Sequence, residues 1–111
     1  MKKGYSDMGY YTNFSISLKE GPVEQYRKML ADIDDILGCG DISAFESCCA
    51  KWYEYGDDLR KLSKKYPDIA FCVYGDGEES DDLWQEYWRA GKCFREQVKF
   101  ATYDEIKDKL N

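Results

Sequence analysis

Residues 10–37, YYTNFSISLKEGPVEQYRKMLADIDDIL, change hydrophobic period halfway along, and that change decides the fold class. Tyr10, Thr12, Phe14, Ile16 and Leu18 fall on one parity, and Tyr11, Asn13, Ser15 and Ser17 on the other. Strict alternation of this kind predicts a strand with one face buried and the other wet. Gly21-Pro22 then opens a helix, with proline in the first turn, where its missing N–H is no loss. Val23, Tyr26, Leu30, Ile33 and Leu37 follow at spacings of three and four, one apolar stripe along the helix. Gly38 and Gly40 end it. A half-buried strand running into an amphipathic helix predicts an α+β domain.

The rest of the chain extends the pattern. Residues 41–51 are ambiguous: Ile42, Phe45 and Cys49 fit a short helix, but Ser, Cys and Asp are indifferent helix formers. Trp52 to Tyr55 reads as a short aromatic strand. Gly56-Asp57 caps a second helix carrying Leu59, Leu62 and Tyr66 and closed by Pro67. Ile69 to Tyr74 is apolar on both parities, as a central strand covered on both sides would be. A polar connection over residues 75–82 leads to a strand from Leu83 to Arg89. The turn Ala90-Gly91-Lys92 leads to another from Cys93 to Phe100, with Phe94, Val98 and Phe100 facing one way. Thr102 and Glu105 have capping-box spacing, and Tyr103, Ile106 and Leu110 would be the inner face of the last helix. The expected architecture is ferredoxin-like α+β: a mostly antiparallel sheet with helices packed on one face. It forms one domain over 1–111, with 1–8 a flexible N-terminus.

Composition narrows the function classes. Sixteen basic residues against 22 acidic ones give a net charge of −6, which disfavours binding to a nucleic-acid backbone. The cluster Arg60, Lys61, Lys64 and Lys65 reads as a solvated helix face. The five cysteines, Cys39, Cys48, Cys49, Cys72 and Cys93, are odd in number and lack a C-x-x-C spacing. They are expected as reduced thiols in a cytosol, used as small buried hydrophobes. No apolar run reaches the ~18 residues of a membrane span. With no histidine there is no imidazole base and no Cys-His or Ser-His pair. Asp57-Asp58 and the 76–82 loop supply carboxylates for acid–base work, but abundance is not a constellation. No catalytic residue, metal or cofactor is expected.

Two features invite a binding role. Asp76, Glu78, Glu79, Asp81 and Asp82 crowd one loop, which reads as a solvated hairpin tip, a docking surface for Lys and Arg, or a cation site. Calcium-loop spacing is absent. Beside it, Trp84, Glu86 and Trp88 share one strand face, and Leu83, Gln85 and Tyr87 the other. The aromatic rings are either core or, with Tyr87, anchors of an interface, where Trp and Tyr dominate binding energy.

Lys51-Trp52-Tyr53-Glu54-Tyr55, Asp58-Leu59, Leu62 to Pro67, and Phe71 to Gly77 resemble the YubB-like ferredoxin-like family of small phage, prophage and plasmid proteins. Glu78-Glu79, Asp82, Trp84, Tyr87, Gly91-Lys92 and the opening Met8 to Thr12 belong to the same likeness, which covers about half the chain. The resemblance implies a non-enzymatic, cytoplasmic inhibitor of a host nucleic-acid-handling defence enzyme, such as an anti-CRISPR protein acting on a Cas nuclease. Asp76, Glu78, Glu79, Asp81 and Asp82 would dock Lys and Arg where phosphates bind, with Trp84, Tyr87 and Trp88 beside them. The partner is then a protein with a basic surface, with no direct nucleic acid or membrane, and the chain a monomer or homodimer. One alternative is a sponge for a small nucleotide signal, with Arg89, Lys92 or Arg95 converging on a pocket. Another is an accessory domain that self-associates through an edge strand.

Overall fold

The computed structural model describes residues 10–79, 81–98 and 100–110, so the expectation for residues 1–8 lies outside the described residues. Strand β1 (Thr12–Glu20) is followed by helix α1 (Val23–Leu37), a short helix α2 (Asp41–Phe45) and strand β2 (Ser47–Ala50). Helix α3 (Tyr55–Lys65) leads into β3 (Ala70–Gly77), β4 (Leu83–Arg89) and β5 (Lys92–Val98). A one-turn helix α4 (Tyr103–Ile106) runs on as a 3-10 turn to Leu110. The sheet has the order β2-β1-β3-β4-β5, and every neighbouring pair is antiparallel. The α+β class is as expected; the strand order fits the ferredoxin-like arrangement only loosely.

The β1 alternation is realised as read. Phe14 and Ile16 are buried, and Asn13 and Ser15 face out. Phe71 and Val73 of β3 lie on the same inner face, with Trp84 and Trp88 of β4. Against them pack Met29 and Ile33 of α1, Ile42 of α2, and Leu59 and Leu62 of α3. Helices thus cover one face of the sheet and leave the other open. β3 is central, but its second face is not covered as expected: Cys72 is buried while Tyr74 is exposed. Among the described residues, no helix is long and apolar enough to cross a membrane.

Three local expectations fail. Trp52 to Tyr55 is not a strand. The Trp52 indole N–H donates to Asp58 Oδ2 (2.8 Å), which folds this stretch over the start of α3, and Tyr55 is already helical. The strand beside β1 is instead Ser47–Ala50, paired Asn13 to Cys49. In α4 the capping box forms, with the Glu105 amide donating to Thr102 Oγ1 and the Thr102 amide to Glu105 Oε1. Its supposed inner face does not, because Tyr103 and Leu110 are exposed. Phe94 and Phe100 are exposed too, and the side chain of Val98 lies outside the described residues. Of the five free thiols, Cys72 is buried, Cys39 and Cys48 are half-buried, and Cys49 and Cys93 are exposed.

Asp34, buried near the end of α1, anchors the region that the sequence left ambiguous. Its carboxylate accepts from the amides of Ile42 and Ser43 (2.9 Å each), at the start of α2. Burial opposes its ionisation, but the hydrogen bonds from Ser43, Ile42 and Cys39 outweigh it and hold the carboxyl below its ordinary range. A depressed folded pKa means stability that is present above the unfolded value of roughly 3.9 and lost as pH falls through the folded one. Asp34→Ala should cost about 1–3 kcal/mol at neutral pH, because two amides lose their acceptor. Urea midpoints measured down the acid limb should also fall less steeply than in the wild type. Some slope should persist from Asp32, which Lys65 and Tyr66 hold down in the same way. An unchanged acid limb would refute the role given to Asp34.

Candidate functional site

The described residues on either side of the β3–β4 connection are tied to one another. The Gly77 amide donates to the Asp82 carbonyl (2.8 Å), and the Asp82 amide to the Glu79 carbonyl (3.0 Å). Tyr10 clamps it from the side. Its hydroxyl donates to Asp82 Oδ2 (2.7 Å) and accepts from the Glu79 amide (3.1 Å). Burial, together with the Asp82 carboxylate, raises the Tyr10 pKa to about 12, so the phenol keeps the proton it donates. Gly77 makes the clamp possible: a Cβ there would sit 2.0 Å from Asp82 Oδ2 and 2.5 Å from the Tyr10 oxygen. Glu78 adds a second tie, accepting from the Tyr11 amide (2.5 Å).

This geometry divides the five carboxylates. Asp82 is half-buried and turned inward onto Tyr10, so it belongs to the scaffold of the tip and not to its docking surface. Asp76, Glu78, Glu79 and Asp81 are exposed. Tyr53 and Tyr11 flank them; the Tyr53 hydroxyl accepts from the Tyr10 amide (2.7 Å), and the Tyr11 ring lies 5.1 Å beneath the Lys51 ammonium. Neither tyrosine was singled out from the sequence. The available signal was Tyr10-Tyr11 at the start of the strand, whose register against Gly77 brings both beside the tip.

Trp84 and Trp88 are not surface anchors. Each is only 3% exposed, on the helix-covered face. Trp84 is stacked on Tyr55 (4.8 Å between centroids) and lies edge-on to Phe14 (6.0 Å). The Trp88 indole donates to Glu86 Oε1 (3.0 Å). Buried Glu86 is completed by the Arg95 guanidinium (2.6 Å), which also donates to the Tyr55 hydroxyl (2.9 Å) and covers the Trp84 ring. Tyr87, of opposite parity, stands 40% exposed on the open face. Strand periodicity paired these residues correctly; which face the helices would cover was not in it.

The basic residues expected to converge on a nucleotide pocket, Arg89, Lys92 or Arg95, do not. Arg89 and Lys92 pair on the open face, while Arg95 is on the covered one, engaged by Glu86. The cleft that Arg95 lines with Tyr53, Tyr55 and Trp52 has about 180 Å³. That is below the roughly 300 Å³ at which small-molecule sites begin. Arg60, Lys61, Lys64 and Lys65 are exposed along α3. Among the described residues, no three acidic or cysteine side chains converge as a metal site requires. Neither a family model, nor a curated protein, nor a solved structure matches the chain.

Proposed function

We propose that this is a non-enzymatic binding protein that docks its acidic hairpin tip into a basic surface of a partner protein. The observation that carries the reading is a hairpin whose exposed carboxylates, Asp76, Glu78, Glu79 and Asp81, surround a tip that Tyr10 holds through Asp82 and the Glu79 amide. Clustered charge alone is cheap to carry on a solvated loop, where it is screened beyond ~8 Å. Fixed charge has a further use: ordering is not lost on binding, and complementary fields speed the encounter. The partner class follows from the resemblance of the 51–92 region to small phage, prophage and plasmid proteins. A nucleic-acid-handling defence enzyme has a cationic channel shaped for phosphates, and a rigid row of carboxylates can occupy it. Tyr11 and Tyr53, exposed beside the tip, supply the apolar contacts, since Trp84 and Trp88 are buried.

The test is affinity capture from bacterial lysate, followed by an activity assay of whatever nucleic-acid enzyme is retained. The wild type should retain and inhibit such an enzyme, and salt should release it. Replacing Asp76 and Asp81 by Asn, and Glu78 and Glu79 by Gln, should weaken binding by about tenfold or more. Tyr10→Phe, with its charge unchanged, should weaken it less. Capture of no nucleic-acid enzyme, or equal inhibition by the neutralised tip, would sink the reading.

A further inference from the structure

We propose that the free edge of β5 pairs antiparallel with the β5 of a second copy of this chain, joining two sheets into one. The two outer strands of the sheet are unlike. β2 has four residues, whereas β5 has seven, with no proline and no bulge in its register on β4. Long, regular edges are the ones that recruit another strand. Lys92 to Gln97 are all exposed, Phe94 by 61%.

The turn before β5 fixes which backbone groups that edge offers. Ala90 and Gly91, both at positive φ, make a two-residue turn, so Arg89 and Lys92 close the hairpin as a hydrogen-bonded pair. Bonded pairs alternate with non-bonded ones, so Phe94 and Glu96 also turn their backbone groups inward, onto Tyr87 and Gln85. The amides and carbonyls of Cys93 and Arg95 then point away from β4. Among the described residues, no hydrogen bond reaches them.

The sequence of β5, Lys92-Cys93-Phe94-Arg95-Glu96-Gln97-Val98, is complementary to itself in one register. With the two-fold axis at Phe94, Cys93 of each copy exchanges both backbone hydrogen bonds with Arg95 of the other. Phe94 meets its own counterpart at the closer, non-bonded spacing, and Lys92 stands opposite Glu96 twice. Among the described residues, neither Lys92 nor Glu96 takes part in a salt bridge. Phe94 lies beside Tyr87 on the helix-free face, so an aromatic row runs unbroken across the seam. Arg95 is drawn back over its own sheet by Glu86 and Tyr55. Centring on Arg95 instead would oppose two arginines and set Phe94 on Glu96. Centring on Glu96 would oppose two carboxylates, and centring on Cys93 would leave three residue pairs in the strand. Every contact of the Phe94 register is made twice, as a closed symmetric pair requires. The ladder uses none of the carboxylates of the acidic tip.

Sedimentation velocity tests the proposal on the protein alone, so its outcome is separate from that of the docking function. The contact is small, at the weak end of specific interfaces, so the series should extend to about 1 mM. The wild type should move toward twice the 13.0 kDa of the chain. Lys92→Glu and Glu96→Lys should each weaken association by about tenfold or more, since each sets like charges opposite one another twice. The double variant, with the two charges exchanged, should associate like the wild type, which also shows that both changes leave the fold intact. In a Cys93→Ser background, Phe94→Cys should cross-link across the axis under oxidised glutathione. Residues opposed at that spacing have Cα atoms about 4.5 Å apart, within disulfide reach. Glu96→Cys, four residues out of register with its counterpart, should not cross-link. A wild type that stays monomeric would overturn the proposal. So would a double variant that fails to recover association, or cross-linking at 96 in place of 94.

Discussion

Trp84→Ala is expected to lower the unfolding free energy by about 3–5 kcal/mol, the range for emptying a buried tryptophan site. A domain of this size has only about 5–15 kcal/mol in total, so the variant should be at or near the limit of folding. The ring is enclosed on three sides, by Tyr55 stacked at 4.8 Å, Phe14 edge-on and the Arg95 guanidinium at 4.7 Å. Its fourth side meets the backbone: a Cβ on Gly75 would lie 2.1 Å from the indole, so the strand opposite carries no side chain there. Gly75→Ala should therefore destabilise as well, by the roughly 1–3 kcal/mol of an overpacked core. Tyr87→Ala, three residues along the same strand, should change stability by less than about 1 kcal/mol. Urea melts measure all three. Comparable losses at Trp84 and Tyr87 would contradict the division of the strand into a covered and an open face.

The second large effect is expected at Arg95. Its guanidinium neutralises Glu86, a carboxylate only 6% exposed, across 2.6 Å. Arg95→Met leaves that charge with the Trp88 indole as its remaining side-chain donor. Removing one partner of a buried pair typically costs 3–5 kcal/mol. Arg95 is itself 40% exposed, and water can reach the gap it leaves, which places the expected loss near about 3 kcal/mol. Glu86→Gln keeps an acceptor for Trp88 while removing the charge. Adding it to Arg95→Met should recover about 1 kcal/mol or more, a coupling that a double-mutant cycle reads directly. Strict additivity of the two single changes would show that the pair is not coupled.

Much of the sheet was legible because its signals are local. Alternation in β1, the Leu30–Ile33–Leu37 stripe of α1, the Ala90-Gly91 turn and the Thr102–Glu105 box each depend on neighbours in the chain. β2 was not legible, since Ser47-Cys48-Cys49-Ala50 has little strand preference and is held extended by its register on Asn13. Trp52 to Tyr55 misled for the converse reason: aromatic residues favour strands, yet Asp58 recruits the Trp52 indole to the start of a helix. At the candidate site the acidic run was plain, but its division was not. Nothing near residue 82 indicates that its carboxylate is held by a tyrosine 72 positions earlier.

The sheet order bears on how the chain comes together in time. β1 lies between β2 and β3, and its register joins Thr12 to Gly77 and Glu20 to Ala70. A chain emerging from a ribosome therefore makes β1 more than fifty residues before its central partner exists. Until then β1 can pair only with the four residues of β2, and one edge of an apolar strand is left unsatisfied. Closing so long a loop before any contact repays it is the step that slows folding in proteins dominated by distant pairings. α1, rich in local contacts, can form early and shelter Phe14 and Ile16 during that interval, so the order of elements along the chain also guards against premature aggregation.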